Sequence, residues 1–168
     1  ELADTLRFAA KASSRPVGLT AKRAIDIVLA ISGIVLLAPL LIFCFVATVV
    51  TSPGPALFRH RRVGFRGKYF DCLKFRTMAT DAPARLRDLL ESDPRAAAEW
   101  TTTRKLRHDP RVTPIGAILR KSSLDELPQL FNVLKGEMSI VGPRPVTDEE
   151  LVRYSDSIDA YLSCRPGV

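Results

Sequence analysis

The chain has 168 residues, 46% of them hydrophobic, with 25 Lys and Arg against 18 Asp and Glu for a net charge of +7. That size allows one domain with a modest core, the composition argues against a disordered chain, and the positive excess points to anionic partners: nucleic acid, phospholipid headgroups or phosphorylated small molecules. Three cysteines without a CxxC pair argue against a disulfide framework or a zinc ribbon and fit a reducing, cytosol-facing location. Two histidines far apart in sequence leave a hard cation on carboxylates as the metal to expect.

Residues 1–20 carry a short helical pattern around Leu2, Leu6 and Phe8 and then Ser13, Ser14, Arg15, Pro16 and Gly18, which read as a lead-in or linker. Residues 27–50 contain no charge, and a helix of that length reaches ~36 Å, enough for a bilayer core. An ordinary spanning helix is the plain expectation. Pro39, however, removes a backbone donor and clashes with the carbonyl of Val35, so a kink is expected near 37–39. Lys22 and Arg23 precede the segment, and Arg59, Arg61, Arg62, Arg66 and Lys68 follow it, so the positive-inside tendency places both ends on the cytoplasmic face. A broken, re-entrant helix over 21–51 satisfies both observations.

Ser52, Pro53, Gly54 and Pro55 end that segment and open a soluble part over 52–168. Leu57–Phe58 and Tyr69–Phe70, separated by Gly64 and Gly67, predict short strands joined by turns. The spacing of Ala84, Leu86, Leu89 and Leu90 predicts an amphipathic helix over 81–91. The polar, basic run 100–111 reads as a loop, Pro114 opens a short helix over 115–119, and Leu124, Leu127, Leu130, Phe131 and Leu134 predict a helix stopped by Lys135 and Gly136. The expected fold is mixed α/β, dominated by helices.

Two basic runs stand out. Seven Lys and Arg residues over 59–76 face the single acid Asp71, and six over 104–121 face Asp109. A solvated face or headgroup contact explains any one of them; together they suit a phosphate-binding surface. Next to the second run lie the adjacent carboxylates Asp125 and Glu126, where the predicted helix begins. Ser123 with Glu126 fits a capping box, and Asp125 fits an N-cap, so a structural role is available. The chemical alternative is that a helix N-terminus keeps Asp125 ionised, draws a phosphate to it, and lets the carboxylate attack phosphorus. Two carboxylates facing a diphosphate then need Mg2+ and several cations, for which Lys74, Arg76, Arg120 and Arg144 are the candidates. Pro143 and Pro145 fix the direction of Arg144 between them.

In this order, Lys22-Arg23 with Asp26, Pro53-Gly54-Pro55 through Arg62-Val63-Gly64, Lys74-Phe75-Arg76-Thr77-Met78, Asp109-Pro110-Arg111, Ser123-Leu124-Asp125-Glu126-Leu127-Pro128-Gln129-Leu130 and Gly142-Pro143-Arg144-Pro145 resemble the bacterial sugar transferase family, the monotopic phosphoglycosyl transferases of exopolysaccharide synthesis. The resemblance runs from residue 22 to the end. It implies that Asp125 attacks the sugar-bearing phosphate of a UDP-sugar, that UMP leaves, and that undecaprenyl phosphate, a polyprenol phosphate, takes the phosphosugar from the aspartyl intermediate. It also implies that Glu126 helps bind magnesium, that Arg120 and Arg144 hold phosphates, that Lys74 lines the site, and that the break at Pro39 makes the helix re-entrant in the inner membrane, with the catalytic part on the cytoplasmic face. Two departures are visible: His60 stands where glutamine is expected, and Arg165-Pro166-Gly167-Val168 resembles the start of a motif that is expected to continue.

Two other readings remain beside this one. A membrane-anchored scaffold would use the basic face to hold anionic lipid and would dispense with Asp125. A nucleic-acid-binding membrane protein is the other, although a zinc-finger or RRM signature is missing. Membrane lipids are expected partners, and the interrupted membrane helix with the 81–91 stretch leaves room for a homodimer. No motif reads which hexose is carried.

Overall fold

A computed structural model describes residues 19–168, so the helical pattern expected around Leu2, Leu6 and Phe8 lies outside the described residues. The chain is helix-dominated α/β. In order it forms α1 (Leu19–Leu36), α2 (Ala38–Thr51), β1 (Leu57–Val63), β2 (Tyr69–Phe75), α3 (Ala82–Ser92), α4 (Pro94–Thr103), α5 (Pro114–Lys121), α6 (Gln129–Lys135), α7 (Asp148–Leu151) and α8 (Ile158–Leu162), with β1 and β2 as a two-stranded sheet.

The break predicted near Pro39 is present. The pair Thr20–Leu36 and Ala38–Thr51 bends by 64° where they meet. Pro39 has no N–H for the carbonyl of Val35, and the ladder resumes when the N–H of Leu41 donates to the carbonyl of Leu37 at 2.8 Å. Among the described residues no single helix is long and apolar enough to cross a membrane, whereas the bent pair together passes on length and composition. Its side chains are widely exposed: Leu36 is 80% exposed and Phe43 63%. An apolar surface of this extent marks an interaction site rather than an ordinary water-facing helix.

The chain divides into two compact units. The first comprises the described residues up to Leu41, Phe58–Lys74 and Glu126–Val168. Here α1 packs along α6, with Gly33 passing close to Leu130. α1 is fastened at two places, to the end of α6 and to the segment that follows it. Arg23 donates to the carbonyls of Val133 and Leu134 at 2.6 and 3.0 Å, supplying partners for the open C-terminal end of α6. Asp26, 3% exposed, accepts from the hydroxyl of Ser139 and from the N–H of Ile140 at 3.1 Å, while Lys22 reaches the same hydroxyl. One buried cluster joins Ala30, Phe70, Cys72, Val133 and Met138; a second joins Val63, Val146, Leu151, Tyr161 and Leu162.

The second unit comprises Ile42–Leu57 and Phe75–Asp125. The segment after β2 is laid against 111–113: Thr113 N–H donates to the Thr77 carbonyl at 3.0 Å, Ala79 N–H to Arg111 at 2.8 Å, and Met78 pairs with Val112. The helix expected over 81–91 forms as α3. That expected over 115–119 forms as α5, with the Thr113 side chain accepting from Gly116 N–H as its cap.

Two sequence expectations need correction. Residues 100–103, expected as the start of a loop, are instead the end of α4, which opens because Asp93 accepts from the N–H groups of Arg95 and Ala96 and Pro94 occupies the first turn. The helix expected to begin near Ser123 begins at Gln129 instead. Ser123 lies at φ 56°, Leu124–Glu126 form a 3-10 turn, and Pro128, without an N–H, cannot bond back to the preceding turn.

Candidate functional site

Strand alternation puts Phe70, Cys72 and Lys74 on one face of β2. Phe70 and Cys72 are spent in the core, and burial pushes the Cys72 thiol up from its ordinary value. Lys74, at the end of the same row, extends past that core and donates to the carboxylate of Glu126 at 2.5 Å. Both line a cavity of about 290 Å³ in the first unit, together with Arg62, Cys72, Gln129, Arg144 and the Gly167–Val168 segment.

Three cations therefore meet one carboxylate in this cavity. Arg62 is oriented by Glu150 at 2.7 Å. The N–H of Thr147 holds the Glu150 carboxyl below the usual range, against burial and with help from Arg62. Arg144 projects from the Gly142-Pro143-Arg144-Pro145 turn, is exposed, and makes no hydrogen bond or ion pair with the described residues. Arginine and lysine so grouped suit an anionic, phosphate-like ligand.

Asp125 occupies the same 3-10 turn as Glu126 and is 9% exposed. A carboxylate held this far from water beside a more open one, with the Glu126 side chain 42% exposed, gives adjacent acids of unlike surroundings. Among the described residues no three His, Cys, Asp or Glu side chains gather as metal ligands. Mg2+, however, is ordinarily held by one or two carboxylates with substrate phosphates and water completing its shell, and an accessible Glu126 in a cationic cavity fits that donor set.

The remaining predicted residues lie elsewhere. Arg120 belongs to the second unit, where its Nε donates to Thr77 Oγ1 at 2.8 Å and its side chain lines a wider cavity of about 860 Å³ with Arg104, Lys105 and Arg107. The wall of that cavity includes Arg111, which pairs with Asp109 at 2.7 Å and stacks over Trp100. Arg76 is 8% exposed, with its guanidinium donating to the carbonyls of Pro53 at 2.9 Å and Ser52 at 2.5 Å. It closes the turn that leaves α2. Pro39 lies at the helix break. Arg62, which the sequence marks only as one of the basic run over 59–76, and Gln129, which it marks only within the 123–130 motif, also line the first cavity.

The sequence profile of bacterial sugar transferases matches residues 17–168. An uncharacterized sugar transferase of Haemophilus influenzae is 52% identical over 95% of this chain and 33% of its own length. The undecaprenyl-phosphate galactose phosphotransferase of Salmonella typhimurium is 50% identical over 95% of this chain and 32% of its own. The exopolysaccharide production protein ExoY of Sinorhizobium fredii is 47% identical over 92% of this chain and 68% of its own. The chain thus spans about a third of the length of the first two relatives. With the profile covering nearly every residue, the chain belongs to the bacterial sugar transferase family.

Proposed function

We propose that the protein transfers a hexose-1-phosphate from a UDP-sugar to undecaprenyl phosphate, releasing UMP, as a membrane step of exopolysaccharide assembly. The observation that carries this reading is the cavity where Lys74, Arg62 and Arg144 converge around Glu126, the chain neighbour of the buried Asp125. The names of the Salmonella and Sinorhizobium relatives support the acceptor and the pathway.

In the proposed reaction an oxygen of Asp125 attacks the phosphorus bearing the sugar. The bond to the bridging oxygen breaks, and UMP departs with that electron pair. An oxygen of the lipid phosphate then attacks the same phosphorus and releases the Asp125 carboxylate. Lys74 and Arg144 serve as phosphate-holding cations, and Arg76 supports the turn after α2. Mg2+ bound through Glu126 would neutralise developing charge on the diphosphate.

Two substrates of opposite solubility require a site at a membrane surface. We assign the exposed apolar faces of α1 and α2 to the cytoplasmic leaflet of the inner membrane, with the 64° bend returning the chain to the side it entered from. The test is UMP release from a panel of UDP-sugars by the lipid-solubilised protein with Mg2+ and polyprenol phosphate, UDP-galactose first, beside Asp125→Asn. Release that disappears in the variant supports the reading; release that survives it removes Asp125 as nucleophile.

A further inference from the structure

We propose that Asn132 is a positioning residue: its side-chain amide acts as a one-residue third strand on the open edge of β2 and so holds Lys74 at Glu126. The sheet has two strands, so one edge of β2 lacks a strand neighbour among the described residues. On that edge the carbonyl of Asp71 accepts from Asn132 Nδ2 at 2.7 Å, and the N–H of Leu73 donates to Asn132 Oδ1 at 3.0 Å. A primary amide offers the same donor and acceptor as a peptide unit, and it meets the two backbone groups that a parallel strand would meet around Cys72.

The orientation of the amide is dictated by its partners. Asn132 is 0% exposed, and its second Nδ2 hydrogen goes to the carboxylate of Glu137 at 2.6 Å. An ionised carboxylate can only accept and the Leu73 N–H can only donate, so a flipped amide would set an oxygen against an oxygen and a donor against a donor. Glu137 is itself anchored, its N–H donating to the backbone carbonyl of Asn132 at 3.0 Å.

The consequence reaches the cavity along two routes. On α6, Gln129 lies one turn before Asn132 and lines the cavity. On β2, Lys74 directly follows Leu73. A strand held on one edge alone can slip, and a shift of one residue turns every side chain to the opposite face, which would take Lys74 away from Glu126. The amide fixes β2 to α6 at the rung next to Lys74. A role in packing alone would leave the Lys74–Glu126 pair unmoved by a change of charge at constant size.

The kinetic part of the test rests on the transferase reading; the spectroscopic part does not. Lysines would be reductively methylated with 13C, and the Lys74 signal assigned by its loss in Lys74→Arg and by its shift in Glu126→Gln. Asn132→Asp keeps size and the acceptor for Leu73 but faces an acceptor toward Asp71 and Glu137. It is expected to move the Lys74 signal in the same direction as Glu126→Gln and to lower kcat by about 10²-fold at neutral pH, the scale of a displaced catalytic group. Adding Glu137→Gln, whose amide donates to the new carboxylate, is expected to restore part of both. Glu137→Gln alone, which leaves Asn132 in place, gives a smaller shift and covers the case in which Asn132→Asp does not fold. If folded Asn132→Asp or, failing that, Glu137→Gln leaves the Lys74 signal at its wild-type position, the inference is overturned. A wild-type protein that releases no UMP from any donor would defeat the transferase reading and leave the Lys74 signal to decide this one.

Discussion

The hydroxyl of Tyr161 donates to the carbonyl of Val63 at 2.7 Å and accepts from the N–H of Val146 at 3.2 Å. Val63 and Val146 form an antiparallel bridge in which one direct bond remains, from Val63 N–H to the Val146 carbonyl at 2.9 Å, and the phenol stands in for the other. Tyr161→Phe therefore leaves a buried donor and a buried acceptor to find each other or go unpaired, at a cost of about 1–3 kcal/mol. Burial pushes the Tyr161 hydroxyl up to about 12. The unfolded chain loses this proton first, near pH ~10, so stability falls as pH rises from there toward 12. Thermal unfolding of both proteins from pH 8 to 11 checks this: the wild-type advantage should shrink above pH ~10.

His60 accepts a hydrogen bond at Nδ1 from Arg62 at 3.2 Å; since a guanidinium only donates, the neutral ring carries its proton on Nε2. Burial first, then the charges of Arg62 and Lys74, hold its pKa below the ordinary value, with Glu150 opposing. The unfolded state then takes up a proton that the folded state refuses. Stability should decline as pH falls through ~6.5. His60→Gln, which keeps an acceptor for Arg62 and does not titrate, should flatten that decline between pH 7.5 and 5.5. An unchanged slope in the variant would place the acid sensitivity elsewhere.

Local chemistry made much of the chain legible. The break at Pro39, the turns flanking β1 and β2, and the start of α5 at Pro114 each carry their own signal. The first turn of α4 carries one too, in Asp93-Pro94, although the polar, basic residues from Trp100 onward have the pattern of a loop. There Thr101, Thr102 and Thr103, poor helix formers, each return a hydroxyl bond to the carbonyl four residues earlier. Lys74, Glu126 and Arg144, which charge marks in the sequence, line one cavity. Arg62 stands out in the sequence only as one of the basic run over 59–76, because its orientation depends on Glu150, 88 residues away. The carbonyl contacts of Arg76 depend on a turn whose shape no local pattern specifies.

Pro39→Ala restores the donor that the Val35 carbonyl lacks and should straighten the α1–α2 junction. With Cys44, Cys72 and Cys164 replaced, single cysteines at Thr20 and Thr51 should both be labelled by an impermeant thiol reagent from one side of a vesicle. In the Pro39→Ala background, Thr51→Cys should lose accessibility from that side. Labelling of the two positions from opposite sides in the unmodified helix would contradict the re-entrant reading.

Gly116 lies where α5 touches the strand-like segment after β2. A Cβ there would stand 2.1 Å from the carbonyl oxygen of Thr77 and 2.7 Å from its carbon. That carbonyl cannot withdraw freely, because it accepts the Thr113 N–H at 3.0 Å. Gly116→Ala should cost about 1–3 kcal/mol despite the better helix propensity of alanine. Because Arg120 bonds Thr77 from the same helix, the variant should also weaken whatever anion Arg120 holds, measurable as a raised KM for the nucleotide sugar.

Gly142 and Gly167 meet backbone to backbone. A Cβ on Gly142 would stand 2.2 Å from the Arg165 carbonyl oxygen and 2.7 Å from Gly167 N, and one on Gly167 would stand 2.5 Å from the Gly142 carbonyl oxygen. Gly167 N–H donates to the Pro143 carbonyl at 2.8 Å, Ser139 N–H to that of Pro166 at 2.8 Å, and Val168 N–H to that of Ser139 at 3.1 Å. The contact excludes side chains for want of space, and it sets the wall of the cavity two residues from Arg144. Either alanine substitution has to push the two segments apart, so the first carries most of the cost and the second adds less, a coupling that a double-mutant cycle reads directly. Gly142→Ala and Gly167→Ala should each lower kcat/KM for the donor by displacing Arg144, and the pair should lose less than the product of the single losses. Fully multiplicative losses would mean that the two segments do not share one constraint.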